Sequence, residues 1–234
     1  MAASPLAQTC RWRPFVDAAA LQRAVAECCL EAARRAIARR GRFDIVLAGG
    51  ETPQPTYELL REAAATWAQW HVYFGDERCV PRDDPRRNSR RAREAWLDHV
   101  AIPGEHIHAI PAELGAVDAA RRYGELLDGV GRFDLVLLGL GEDGHTGSLF
   151  PGHAIGEAPG SPSVLAVFDA PKPPPERVTL SARRFSHTEA AIFMVAGKRK
   201  RAAVARWREL DPIPARFITP AAGVDVFFEE IALP

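Results

Sequence analysis

Apolar residues recur at helical spacing over residues 21–37, which predicts an amphipathic helix with Asp17 as its N-cap and Gly41 as its stop. The period then shortens. Residues 43–48 form a short β-rich run that ends in Gly49-Gly50, and a helix is predicted to open near Pro53 and cover residues 57–65. Residues 71–74 read as a strand ending at Gly75. Residues 87–98 read as a polar, arginine-rich helix, 117–127 as a further helix and 133–138 as a buried strand. The stretch 145–162 is broken by Pro151-Gly152, Pro159-Gly160 and Pro162 and is expected to be loop. Strands are predicted at 163–168, 177–180, 190–196 and 224–228, with Ser181 capping a short turn and a helix over 198–210. Strands that alternate with helices predict an α/β chain with a mostly parallel sheet and helices on both faces. No internal repeat and no long linker interrupts it, so residues 1–234 are expected to form one α/β domain.

Charge changes this picture by exclusion. Lys+Arg and Asp+Glu are both 30, so the formal charge is zero, which argues against a dedicated nucleic-acid or membrane-surface protein. Six arginines lie between Arg82 and Arg93, but Asp83, Asp84 and Glu94 are interleaved and no aromatic platform accompanies them. A solvated helix face outweighs a nucleic-acid patch there. Apolar runs are strand-sized, no charged and apolar leader is visible, and the four cysteines lack ligand spacing. Reduced thiols in a cytoplasmic protein are the expectation. The residues do not distinguish a monomer from a dimer. The Pro-rich segment 171–176 reads as a stiff loop rather than a proline-recognition ligand.

In open parallel sheets, ligands bind outside the carboxyl ends of the strands. Four such ends carry glycines and reactive side chains: Gly49-Gly50-Glu51-Thr52, Gly75-Asp76-Glu77-Arg78, Gly139-Leu140-Gly141-Glu142-Asp143-Gly144-His145, and Gly197-Lys198-Arg199-Lys200. The third contains a literal G-x-G-x-x-G. The dinucleotide fingerprint needs a helix to open at its third glycine, and the broken stretch after Gly144 offers none, so nicotinamide binding is set aside. Its glycines instead let backbone N–H groups approach an oxygen-rich ligand. His145, two residues after Asp143, has the setting of a general base whose tautomer a carboxylate holds. The other six histidines have no comparable setting. The 49–52 turn before a helix suits a phosphate, with Glu51 turned away. Lys200 and the forked guanidinium of Arg177 are candidates for the same anion, with Lys198 and Arg199 read as solvated surface.

At these residues the chain resembles the glucosamine-6-phosphate isomerase/6-phosphogluconolactonase family, on its lactonase side. Residues 47–53, Leu-Ala-Gly-Gly-Glu-Thr-Pro, resemble the family's S-G-G-S-T-P block, and residues 74–81 with Asn88 its D-E-R-x-V-P block and following S-N. Residues 138–152 match its G-x-G-x-D-G-H-T-A-S-L-F-P signature, 171–181 its K-P-P-x-x-R-(I/V)-T-L block, and 197–200 its G-x-x-K. Ala48, Glu51, Arg87 and Gly147 depart from the family pattern, which removes a serine contact to phosphate.

The resemblance implies a Rossmann-like fold and hydrolysis of 6-phospho-D-glucono-1,5-lactone in the oxidative pentose phosphate pathway. It implies catalytic roles for His145, Asp143 and Arg78. It also implies substrate binding by Gly49, Gly50, Thr52, Asp76, Asn88, Gly141, Lys172, Arg177 and Lys200. No metal or organic cofactor is needed, because a lactone is already an activated ester. Glucosamine-6-phosphate deaminases are the enzyme alternative, but they follow Asp-Gly-His with an Asn-Glu pair, where this chain has Thr146-Gly-Ser-Leu-Phe-Pro. A non-catalytic sugar-phosphate-sensing domain is the other alternative. It would carry a helix-turn-helix upstream, and only one long helix precedes the first predicted strand.

Overall fold

The computed structural model describes residues 8–233. Strand β1 (Cys10–Phe15) opens the fold, and helix α1 (Ala18–Arg40) follows. Asp17 caps α1 through a 2.7 Å bond from the Ala20 N–H, and the Gly41 N–H closes it on the Ile37 carbonyl at 2.8 Å. Then come β2 (Phe43–Leu47), α2 (Gln54–Arg61), β3 (Trp70–Phe74) and β4 (Asp76–Arg78). Helix α3 (Asn88–Ala95), β5 (Ile107–His108), α4 (Ala116–Asp128) and β6 (Phe133–Gly139) form the middle of the chain. The last third holds β7 (Val164–Val167), β8 (Arg177–Leu180), α5 (Ala182–Ser186), β9 (Thr188–Val195), α6 (Arg201–Arg208) and β10 (Val224–Glu229).

Seven strands form a wholly parallel sheet in the order β1-β10-β9-β6-β2-β3-β5, flanked by helices. The Rossmann-like α/β architecture is therefore present. Central strands β2 and β6 are buried on both faces, as their near-continuous apolar sequences require. From β2 the chain winds outward to β3 and β5, and from β6 it winds the other way to β9 and β10. The winding thus reverses between β2 and β6, where a crevice must open at their carboxyl ends.

A second, antiparallel sheet, β4-β8-β7, was not part of the expectation. Ser181 does cap a short helix, accepting from the Arg184 N–H at 3.2 Å. Three predicted helices are shorter than expected: α2 ends at Arg61, α3 ends at Ala95, and residues 198–200 make a 3-10 turn before α6.

The arginine-rich stretch needs a correction. Most of it is solvated, but Arg87 is 2% exposed. Its guanidinium lies 3.2 Å from Glu77 and 3.3 Å from Glu113 and donates to the Val80 and Ile110 carbonyls. A buried guanidinium is tolerated only with such complete pairing.

Candidate active site

A cavity of about 610 Å³ opens at the β2–β6 crevice. All four glycine-rich strand ends reach it, through Gly49–Pro53, Gly75–Arg78, Gly139–His145 and Ala196–Lys200. Of the expected residues, Gly49, Gly50, Thr52, Asp76, Arg78, Gly141, His145, Lys172, Arg177 and Lys200 line it.

His145 sits in the turn that follows β6. Its Nδ1 is 2.5 Å from Asp143 Oδ1, and its backbone N–H donates to the same oxygen at 3.1 Å. The carboxylate therefore claims Nδ1–H, which leaves the Nε2 lone pair free. Burial alone would raise the Asp143 carboxyl, but the hydrogen bond and charge of His145 outweigh it and hold the group well below the usual carboxylate range. Phe150 packs against the imidazole at 4.8 Å between ring centres. The turn closes through a 2.7 Å bond from the Gly141 N–H to the His145 carbonyl. A Cβ at Gly141 would lie 2.1 Å from His145 Nδ1, so only glycine leaves room for the ring.

Strand alternation divides the Asp76-Glu77-Arg78 run between two jobs. Asp76 and Arg78 line the cavity, while Glu77 points away and is fully buried. The Glu77 carboxylate accepts from the Asn88 and Ser89 N–H groups at 2.7 and 2.8 Å, which caps α3, and it also pairs with Arg87. Asp76 accepts from Ser148 Oγ at 2.7 Å and from Asn88 Nδ2 at 3.0 Å. Asn88 is not among the cavity-lining residues. It is buried behind Gly49, whose missing Cβ would fall 2.2 Å from Asn88 Oδ1. Asn88, expected as a contact for a sugar hydroxyl, donates instead to cavity-lining Asp76.

Arg177 is buried beside Arg78, its direct partner across the β4–β8 ladder. The Pro-rich loop folds over its guanidinium: Nε donates to the Pro174 carbonyl at 3.0 Å and Nη2 to the Lys172 carbonyl at 2.6 Å. Arg78 donates from Nη1 to the Arg86 carbonyl at 2.5 Å, while its Nε is buried with no partner among the described residues. Burial, together with the charges of Lys172 and Arg199, lowers the Lys200 pKa against opposing pulls from Glu142 and Asp143.

Lys198 and Arg199 are exposed, as expected, yet also line the cavity, and Arg199 lies 3.5 Å from Glu142. Arg91 and Ser148 escaped the sequence reading. No group of three or more His, Cys, Asp or Glu among the described residues is placed to hold a metal ion. Among those residues no helix is long and apolar enough to cross a membrane.

Comparison with known proteins gives a consistent result. A family profile described as glucosamine-6-phosphate isomerases/6-phosphogluconolactonase matches residues 16–227. A 6-phosphogluconolactonase of Synechocystis sp. is 41% identical over 199 residues, covering 80% of this chain and 81% of its own. The crystal structure of a 6-phosphogluconolactonase from Thermotoga maritima superposes with a TM-score of 0.87 at 27% identity, covering 95% of this chain and 100% of its own. A monomeric glucosamine-6-phosphate deaminase shares the fold at a TM-score of 0.81 and 20% identity, covering 95% of this chain and 98% of its own.

Proposed function

This chain belongs to the family of glucosamine-6-phosphate isomerases and 6-phosphogluconolactonases, and from its site we infer that it is the hydrolase of the pair. It opens 6-phospho-D-glucono-1,5-lactone to 6-phospho-D-gluconate, a step of the oxidative pentose phosphate pathway. Because a deaminase shares the fold, the fold alone does not choose between the two chemistries. The observation that carries the choice is cavity-lining His145 with Asp143 paired to its Nδ1, followed by Thr146-Gly147-Ser148 in place of an Asn-Glu pair.

In this mechanism His145 Nε2 takes a proton from a water molecule as that water attacks the C1 carbonyl. The Asp143 carboxylate holds the imidazole in the required tautomer and stabilises the imidazolium that forms. Arg78, which lines the cavity, places its guanidinium charge against the oxygen on which negative charge develops. The tetrahedral intermediate then collapses. The C1–ring-oxygen bond breaks and His145 returns its proton to the departing alkoxide.

The phosphate is held by the Gly49–Thr52 turn, Arg177, Lys200 and Lys172. Gly141 lets the loop approach the sugar. Asp76, fixed by Asn88 and Ser148, accepts from a sugar hydroxyl. The four cysteines are free, which supports the cytoplasmic location included in this proposal.

The test is the rate of 6-phosphogluconate formation from freshly made lactone, with and without protein, because the lactone also opens spontaneously. Acceleration is expected, with a loss of about 10²- to 10⁴-fold in the His145→Ala variant. Folded protein that gives no acceleration refutes the lactonase reading. A variant keeping more than about a third of wild-type activity refutes the base assignment.

A further inference from the structure

Five of the six arginines between residues 82 and 93 are neutralised by a carboxylate: Arg82 by Glu113, Arg86 by Asp84, Arg87 by Glu77, Arg90 by Glu94 and Arg93 by Asp98. Among the described residues Arg91 has no acidic partner, and it is the one of the six that lines the cavity. Its Nε is anchored on the Pro85 carbonyl at 3.1 Å, so the side chain is half-buried and held while both terminal nitrogens are uncommitted.

Its place follows from the helix. Asn88 and Arg91 are three residues apart on α3 and share a face. Asn88 packs directly on Gly49, which puts Arg91 beside the Gly49–Thr52 turn. That turn carries a defect for anion binding. Glu51 is exposed, lines the same cavity and has no ion-pair partner among the described residues. A carboxylate there opposes a phosphate dianion through Coulomb repulsion, and a guanidinium on the adjacent helix removes that opposition.

We propose that Arg91 is a specificity-determining residue of this site, gripping the phosphate of the substrate from the α3 side and offsetting Glu51. The inference rests on the lactonase reading for its substrate, but its test does not depend on turnover. A charge-assisted contact of this kind is worth roughly a factor of 10 to 100 in binding.

Kinetics of lactone hydrolysis and calorimetric titration of 6-phosphogluconate should be measured together on wild type, Arg91→Met, Glu51→Ser and the double variant. Arg91→Met is expected to raise both KM for the lactone and Kd for 6-phosphogluconate about 10-fold or more, with kcat within about twofold. Adding Glu51→Ser is expected to recover part of that loss. A Kd for 6-phosphogluconate within about twofold of wild type overturns the proposal, whether or not the protein is a lactonase. So does a loss confined to kcat. A double variant as weak as Arg91→Met removes the role given to Glu51. Absence of lactone turnover by wild type, with the Kd shift intact, defeats the lactonase reading alone.

Discussion

His145 occupies the space that a side chain at position 141 would need, and this makes Gly141 a positioning residue. Gly141→Ala is expected to displace the imidazole by the better part of an ångström. A misplacement of that size costs on the order of 10²-fold in turnover. Thermal stability should change little, because the Gly141 N–H keeps its bond to the His145 carbonyl. Steady-state kinetics and a melting curve on the same preparation check both halves. An active alanine variant would show that the ring tolerates another position.

The sequence exposes the chemistry of this site better than its supports. Asp143 and His145 are two residues apart, so their pairing is local and readable. Asn88 reaches Asp76 across 12 residues, and Ser148 reaches it across 72. Spacing does not reveal either. Arg87 looks like one more charge in a solvated run because its partner Glu77 lies on a separate strand.

Among the elements, those that bury a face were legible and those stabilised only by pairing were not. Helix α1 and strands β2, β3, β6 and β9 announce themselves through apolar periodicity. Strand β1 is an edge strand with exposed Arg11, Arg13 and Pro14, and proline is allowed there because only β10 pairs with it. Strand β4 is Asp-Glu-Arg, with no apolar residue, and exists because β8 pairs with it. Strand β5 is two residues at the opposite edge.

At that edge three histidines gather. His106 stacks on His71 at 3.8 Å between ring centres, and His71 Nδ1 lies 3.4 Å from His108 Nε2. Burial, then Arg42, His106 and His108, push His71 from its ordinary 6.5 down to about 4, against the opposing charge of Asp44. Burial, then Arg42 and His106, lower His108 against the same opposing charge of Asp44. Between pH 6.5 and about 4 the unfolded chain therefore binds a proton at His71 that the folded chain refuses. Stability attributable to this group is present above 6.5 and is lost as pH falls toward about 4. Melting temperatures measured at steps across that window should fall more steeply for wild type than for His71→Gln. Parallel curves would rule out this edge as a source of acid sensitivity.

At the scale of the whole molecule, the two sheets share one hydrophobic core. Leu135 and Val136 of the parallel sheet and Val164, Val178 and Leu180 of the antiparallel sheet fall in the same buried cluster. Apart from the shared core, Val167 of the small sheet packs only in a three-residue cluster with Phe150 and Ala170, too little for that sheet to persist on once the large one melts. Far-ultraviolet and near-ultraviolet circular dichroism are expected to report one coincident thermal transition. Two resolved transitions would mean that β4-β8-β7 and the parallel sheet are independent units.

The division of labour within Asp76-Glu77-Arg78 reaches beyond this protein. Three consecutive letters answer to two masters: the outer pair faces the cavity, and the middle one caps the first turn of α3 from behind it. Copied into a foreign strand to install the same chemistry, the triplet would bring Glu77 along without an α3 to receive it. A buried carboxylate stripped of its partners costs about 3–5 kcal/mol, a large share of the 5–15 kcal/mol that a typical domain has in hand. A graft that replaced the middle residue with an apolar one, and rebuilt the support for Asp76 by other means, would be the smaller disturbance to its host.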